Sequence, residues 1–181
     1  MLLSLDISTS CTGIALFDEN NKLHELSHLK FKSKKGIFDK LREFIEFFEQ
    51  YASLDITEIV IEEPLQMFKG KFSSAHTIAI LNFFNGMISS YLYNKFNIEP
   101  LYYNVKTARK TVFPNLVIPN GTPNSKYLVW QAMVNLYPTI NWEYGKKSHK
   151  LASENFDMVD AAVVGLAHIV SVIKSKTKEE V

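Results

Sequence analysis

The 181-residue sequence predicts an α/β fold, a mixed sheet with helices on its faces. Three observations lead there. Residues 2 to 31 hold three short apolar stretches in series, joined by turn residues, as an antiparallel meander does. Two further strand-like runs, 58 to 61 and 100 to 103, alternate with stretches of helical periodicity that can return them parallel. No internal repeat and no convincing linker divides the chain. One domain is therefore expected over residues 1–174, followed by a charged C-terminal tail, 175–181, expected to be disordered.

The elements follow in order. Residues 2 to 7, 12 to 18 and 23 to 31 read as strands, with Asp18-Glu19-Asn20-Asn21-Lys22 as turn chemistry between the last two. Phe38, Leu41, Phe44, Ile45 and Phe48 recur at helical spacing, which predicts a helix over 35–51. Glu58-Ile59-Val60-Ile61 is β-branched and runs into Glu62-Glu63-Pro64, where Pro64 stops it. A long helix is expected over 73–96, a strand over 100–103 and a helix over 105–113. "PNLVIPNGTPN" has loop composition; 125–136 reads as a helix, 137–151 as a polar irregular linker and 154–174 as an amphipathic helix.

Composition narrows the class. No apolar run reaches the ~18 residues of a membrane helix, and Asp6 interrupts the only apolar stretch near the start, so neither a membrane span nor a signal peptide is expected. Cys11 is the sole cysteine, which rules out an internal disulfide and suits a reducing cytoplasm. A net charge of +1 neither announces nor excludes nucleic acid, because distribution outweighs the sum. The wealth of Lys, Asn, Ile and Phe points to an AT-rich genome.

Acids stand where apolar elements emerge. Asp6 ends the first strand and Glu62 the fourth; Asp157 and Asp160, three apart, share one face of the last helix. If strands one and four are neighbours, all four carboxylates gather at one sheet edge. They would repel unless cations filled the space, and hard divalent ions such as Mg²⁺ take oxygen ligands. Two such ions activate water and stabilise the leaving oxygen in phosphodiester cleavage. Singly, each acid has a plainer reading: Asp6 as a cap of the following turn, Glu62 as an exposed strand end with Glu63 as its competitor, and the Asp pair as charges favoured at a helix N-terminus. The combination favours a metal site.

The pieces "LSLDISTSCTGIAL", "IVIEEP", "NVKTARKTVF", "NSKYLVWQAMV" and "ENFDMVDAAVVGLAHI" together resemble, in order, the RuvC-type Holliday junction resolvases of the RNase H-like superfamily. The resemblance spans Leu3 to about Ile169. It implies a mixed five-stranded sheet flanked by helices, and a homodimer that nicks two opposed strands of a four-way DNA junction with Mg²⁺ or Mn²⁺, two ions per site. Carried over by motif, Asp6, Glu62, Asp157 and Asp160 are the metal-binding acids, and Arg109 and Lys126 the cations at the scissile phosphate. Arg109 stands where the family usually has Lys; a guanidinium clamps phosphate well but does not shuttle protons. Phe68 is the candidate for the family's junction-stacking aromatic, flanked by Lys69 and Lys71. Lys106 and Lys110 beside Arg109, and Lys146 and Lys147 before the acidic helix, are further candidate DNA contacts. Lys30, Lys32, Lys34 and Lys35 read as a solvated face.

Other readings stay open. "LDISTSCTGIAL" also resembles the first phosphate loop of actin and sugar-kinase ATPases, but no second Asp-Gly-Gly-type loop follows. A RuvC-like RNA-processing nuclease would share fold and acids, and a catalytically weak branched-DNA-binding protein would share the surface. Branched DNA, a homodimer and no membrane are the expected partners. Cytoplasm is the expected location, that of a bacterial host if a phage encodes the chain.

Overall fold

The computed structural model describes residues 1–64, 75–118, 125–145 and 150–179. In chain order the elements are β1 (Leu2–Ile7), β2 (Cys11–Phe17), β3 (Leu23–Lys30), α1 (Ile37–Phe48) with a 3₁₀ turn at Glu49–Tyr51, β4 (Glu58–Glu62), α2 (Ala75–Phe96), β5 (Leu101–Tyr103), α3 (Val105–Val112), α4 (Ser125–Leu136) and α5 (Glu154–Glu179). The five strands form one sheet in the order β3-β2-β1-β4-β5. β1, β2 and β3 pair antiparallel as the predicted meander, while β4 joins β1, and β5 joins β4, in parallel.

Strand alternation divides the core in two. Leu3, Leu5, Ile14, Leu16, Ile59 and Ile61 meet Phe44 and Phe48 of α1 and Phe84, Ile88 and Leu92 of α2 on one face. Leu2, Ala15, Phe17 and Val60 meet Ala108 of α3, Val129 and Met133 of α4 and the apolar face of α5 on the other. Because both faces are covered, β1 and β4 carry continuous apolar runs rather than alternation. α5 is long and apolar enough over Glu154–Thr177 to cross a membrane by length and composition, but its apolar residues are largely buried against the sheet.

α5 lies unusually close to β1 and β2, and small residues make that possible. A Cβ on Gly13 would stand 2.0 Å from the Asp157 carbonyl oxygen, and one on Gly165 would stand 2.4 Å from the Phe17 ring. Between them the Ser4 hydroxyl donates to the Ala161 carbonyl at 2.6 Å.

Several boundaries differ from the sequence expectations. Phe38, counted among the apolar positions of α1, is 65% exposed, because the helix turns Phe44 and Phe48 to the sheet. α5 continues to Glu179, so residues 175–179, assigned to the tail, prolong the helix. The stretch after α4 is irregular over its described residues, as its composition predicts, and is held by an isolated bridge between Tyr144 and Leu151 and by the Ala152 amide, which donates to the Glu143 carbonyl at 3.0 Å.

Candidate active site

The β1–β4 register decides where two of the acids go. Leu5 stands beside Ile61, so the next residues, Asp6 and Glu62, leave the sheet side by side on the α5 face. α5 then brings Asp160 over them. One carboxylate oxygen from each of Asp6, Glu62 and Asp160 lies within 4.8 Å of the others. The turn after β1 needs no help from Asp6, since the Ser8 hydroxyl accepts from the Ser10 and Cys11 amides. This removes the capping role as the reason for a carboxylate there. Glu63, the competitor of Glu62, instead accepts from the Asn104 side-chain amide at 3.3 Å.

Crowding shows in the protonation of these groups. Burial, and then the charges of Glu62, Asp160 and Asp157, hold the Asp6 carboxyl well above the usual carboxylate range. Burial and Asp160 push Glu62 up to about 8, although Lys126 and Arg109 oppose the shift. Asp157 is also raised, by burial first, against the pull of Lys126 and a hydrogen bond from the Cys11 thiol. Asp157 is outside the trio of mutually close acids. The Cys11 thiol is itself shifted up, by burial and then by Asp157.

Two cations answer the acids. Arg109 of α3 donates to Asp160 Oδ1 from Nη2 at 2.5 Å and from Nε at 3.2 Å. Lys126, in the first turn of α4, places Nζ 3.5 Å from Asp160 Oδ2. Burial works against the Lys126 charge, yet Asp160, Asp6, Asp157 and Glu62 together raise its pKa. Asp160 is 2% exposed, and such a carboxylate is tolerable only when paired in this way. Arg109 is aimed from a capped helix: the Asn104 side-chain Oδ1 accepts from the Lys106 and Thr107 amides at the start of α3.

This fold is shared with known proteins. RuvC of Thermus thermophilus, solved in complex with a Holliday junction substrate, superposes with a TM-score of 0.63 over 96% of this chain and 94% of its own, at 11% identity. The chain has the RuvC-type fold. The yeast mitochondrial Holliday junction resolvase Ydc2 gives a TM-score of 0.58 over 99% and 84% of the two chains at 14% identity. Fowlpox virus resolvase, solved with substrate Holliday junction DNA, gives 0.51 over 94% and 97% at 16% identity. No protein-family model and no curated protein matches the sequence.

Within this RuvC-type fold the structure sorts the remaining sequence candidates. Lys106 and Lys110 are exposed on α3, four residues apart and hence on one face. Phe68, Lys69, Lys71, Lys146 and Lys147 lie outside the described residues. Lys30 is bonded to Glu154, whose carboxyl this hydrogen bond holds down at about 2.

Three residues that support the acids went unnoticed in the sequence. Gly13 lies opposite Asp6 in the β1–β2 ladder and, lacking a side chain, admits the Asp157 backbone. Asn155 is fully buried, accepts from the Glu143 amide at 3.0 Å and donates to the Glu143 carbonyl at 2.7 Å, fastening the start of α5. Asn85 of α2 donates to the carbonyl of Ile7, the residue after Asp6, at 3.1 Å. An Asn within an apolar run is a usable signal for Asn85; Asn155, between Glu154 and Phe156, has none. Nothing local marks Gly13.

Proposed function

We propose that this chain is a metal-dependent endodeoxyribonuclease that resolves four-way DNA junctions, and related branched DNA, by paired nicks from a homodimer. The observation that carries the reading is the close trio Asp6, Glu62 and Asp160 at the sheet edge of a RuvC-type fold, faced by Arg109 and Lys126.

The trio fits a hard divalent cation. Its donors are all carboxylate oxygens, and Glu62 Oε2 is buried with no hydrogen-bond partner among the described residues. Carboxyls pushed up by burial and then by one another's charge are relieved when a cation binds. Asp6, Glu62 and Asp160, with Asp157 beside them, would hold two Mg²⁺ ions, for which Mn²⁺ substitutes. When bound, such ions supply an activated water and stabilise the leaving oxygen of a phosphodiester. Arg109 spends Nε and Nη2 on Asp160, so its remaining N–H donors and its fixed charge face the phosphate, and it carries no proton to or from it. Lys126, its side chain 52% exposed, meets the phosphate from the solvent side. Lys106 and Lys110 hold the flanking backbone, a contribution that weakens with salt.

Paired nicks need two sites, and the α1–α2 side offers a surface for a second copy. A groove of about 560 Å³ is lined by Leu41, Asn82, Phe83, Gly86, Met87 and Ser90. Phe38 and Phe83 stand at its rim, 65% and 53% exposed, in edge-to-face contact at 6.2 Å. A Cβ on Gly86 would meet nothing within 4 Å, so a helix from a second copy can approach there. A two-fold axis through this groove would supply the paired sites.

The test is cleavage of a labelled immobile four-way junction with Mg²⁺, beside a linear duplex of the same arms. Paired nicks confined to the junction and lost in Asp6→Asn are expected. Tight junction binding without cutting would point to a binding protein. Cutting of structured RNA with the junction left intact would replace the reading with an RNA-processing one.

A further inference from the structure

The chain has two tryptophans, Trp130 and Trp142, and both belong to one aromatic cluster on the site side of the sheet. The Trp130 ring lies 5.9 Å from Trp142, edge-on at 78°, and 5.0 Å from Tyr127, tilted by 35°. The two indoles are half-buried against the α5-side core, so the cluster is rigid behind. Tyr127 in front is 41% exposed.

The cluster is tied to the site through one helix turn. Lys126 and Trp130 are four apart on α4 and share a face; Tyr127 and Trp130 are three apart. Tyr127 follows in the chain the lysine whose Nζ lies 3.5 Å from Asp160 Oδ2, and its ring packs on Trp130, which shares that lysine's face. A π surface held from behind, next to a half-exposed cation, matches a nucleotide: the cation takes the phosphate and the ring takes the base. A protein partner is a poor match, because one exposed ring is a small part of the roughly 800 Å² per side that a stable interface needs.

We propose that Tyr127, backed by Trp130 and Trp142, is a stacking shelf for an unpaired nucleobase of the substrate strand next to the phosphate at Lys126. The inference rests on the nuclease reading and adds to it a residue and a ligand class. Stacking tolerates every base, so the shelf selects unstacked structure rather than sequence. Perfectly paired DNA keeps its bases stacked on each other and gains nothing from it.

Intrinsic tryptophan emission reports on this cluster alone, since it contains both indoles. The full-length Asp6→Asn chain, which leaves the strands intact, is titrated with a four-way junction and with a linear duplex of the same arms. Junction binding is expected to quench the emission, and the duplex to leave it unchanged at equal occupancy. In the same background, Tyr127→Ala is expected to weaken junction binding roughly ten-fold, the scale of one lost base stack, while Tyr127→Phe keeps it. Matching thermal unfolding of both variants excludes a folding defect as the cause. Junction binding with unchanged emission and equal affinity in Tyr127→Ala overturns the shelf and leaves the resolvase reading standing. Emission that changes with protein concentration in the absence of DNA assigns the ring to a second copy and also overturns it. Failure to bind any branched DNA removes both.

Discussion

The two faces of the sheet are built differently. The α1–α2 face is filled by large rings, Phe44, Phe48 and Phe84, with Ile and Leu between them. The α5 face uses Gly13, Ala15, Ser4, Ala161 and Gly165 where helix and strands meet. Large side chains hold helices at a distance and leave grooves. Small ones let a helix backbone settle on the strands, and only that closeness brings Asp160 to Asp6 and Glu62. The first face supplies stability and carries an open groove; the second supplies geometry.

The largest expected effect is on the second face. Asp6→Asn should lower junction cleavage by more than roughly 100-fold, beyond what loss of a group merely supporting a metal site produces. Gel-shift affinity for the junction should survive, because the phosphate contacts remain. Wild-type cleavage rates in this variant would break the comparison at its centre.

Two glycine substitutions set the faces against each other directly. Gly13→Ala places a methyl on the Asp157 backbone, where nothing can yield, and should cost about 1–3 kcal/mol of stability together with most activity. Gly86→Ala meets open space and should stabilise the isolated chain by about 0.5–1 kcal/mol through helix propensity. It should also weaken self-association measured by sedimentation. Denaturant melts of the two variants that moved together would erase the distinction between the faces.

Smaller effects come from protons. Asp6, Glu62 and Asp157 have carboxyls raised by folding, so the folded state favours their neutral forms. The stability they contribute is present below the ordinary carboxylate range and is lost as pH rises through the folded value, about 8 for Glu62. In chelator the melting temperature should therefore fall from pH 5.5 to pH 8.5. Mg²⁺ should raise it more at the upper pH than at the lower, since only ionised carboxylates bind the ion. A metal-induced shift independent of pH would argue against a site built from these acids.

The smallest effect tests support from outside the acids. Asn104→Ala removes the α3 cap and should cost about 1 kcal/mol. It should reduce cleavage only a few-fold, by loosening Arg109. A loss as large as that of Asp6→Asn would give Asn104 a more direct part, through its bond to Glu63.

Much of the framework was legible in the sequence because burial on both faces leaves strands such as Leu2–Ile7 and Glu58–Glu62 mostly apolar, each with an acid, Asp6 or Glu62, at or next to its end. The helical period revealed α1 but not which of its rings faces the sheet, so Phe38 was misplaced. The acids were legible as a set, yet their division was not. That Asp160 holds both cations while Asp157 stays outside the close trio depends on how α3 and α4 approach α5.

The sequence by itself determined the strands, the helices and the residues that carry charge at their ends, since these follow from local periodicity and the cost of an unpaired buried carboxylate. Only the tertiary structure decided the distance between them. That distance depends on the β1–β4 register and on the gap that Gly13 leaves for α5, and both arise from contacts between residues far apart in the chain.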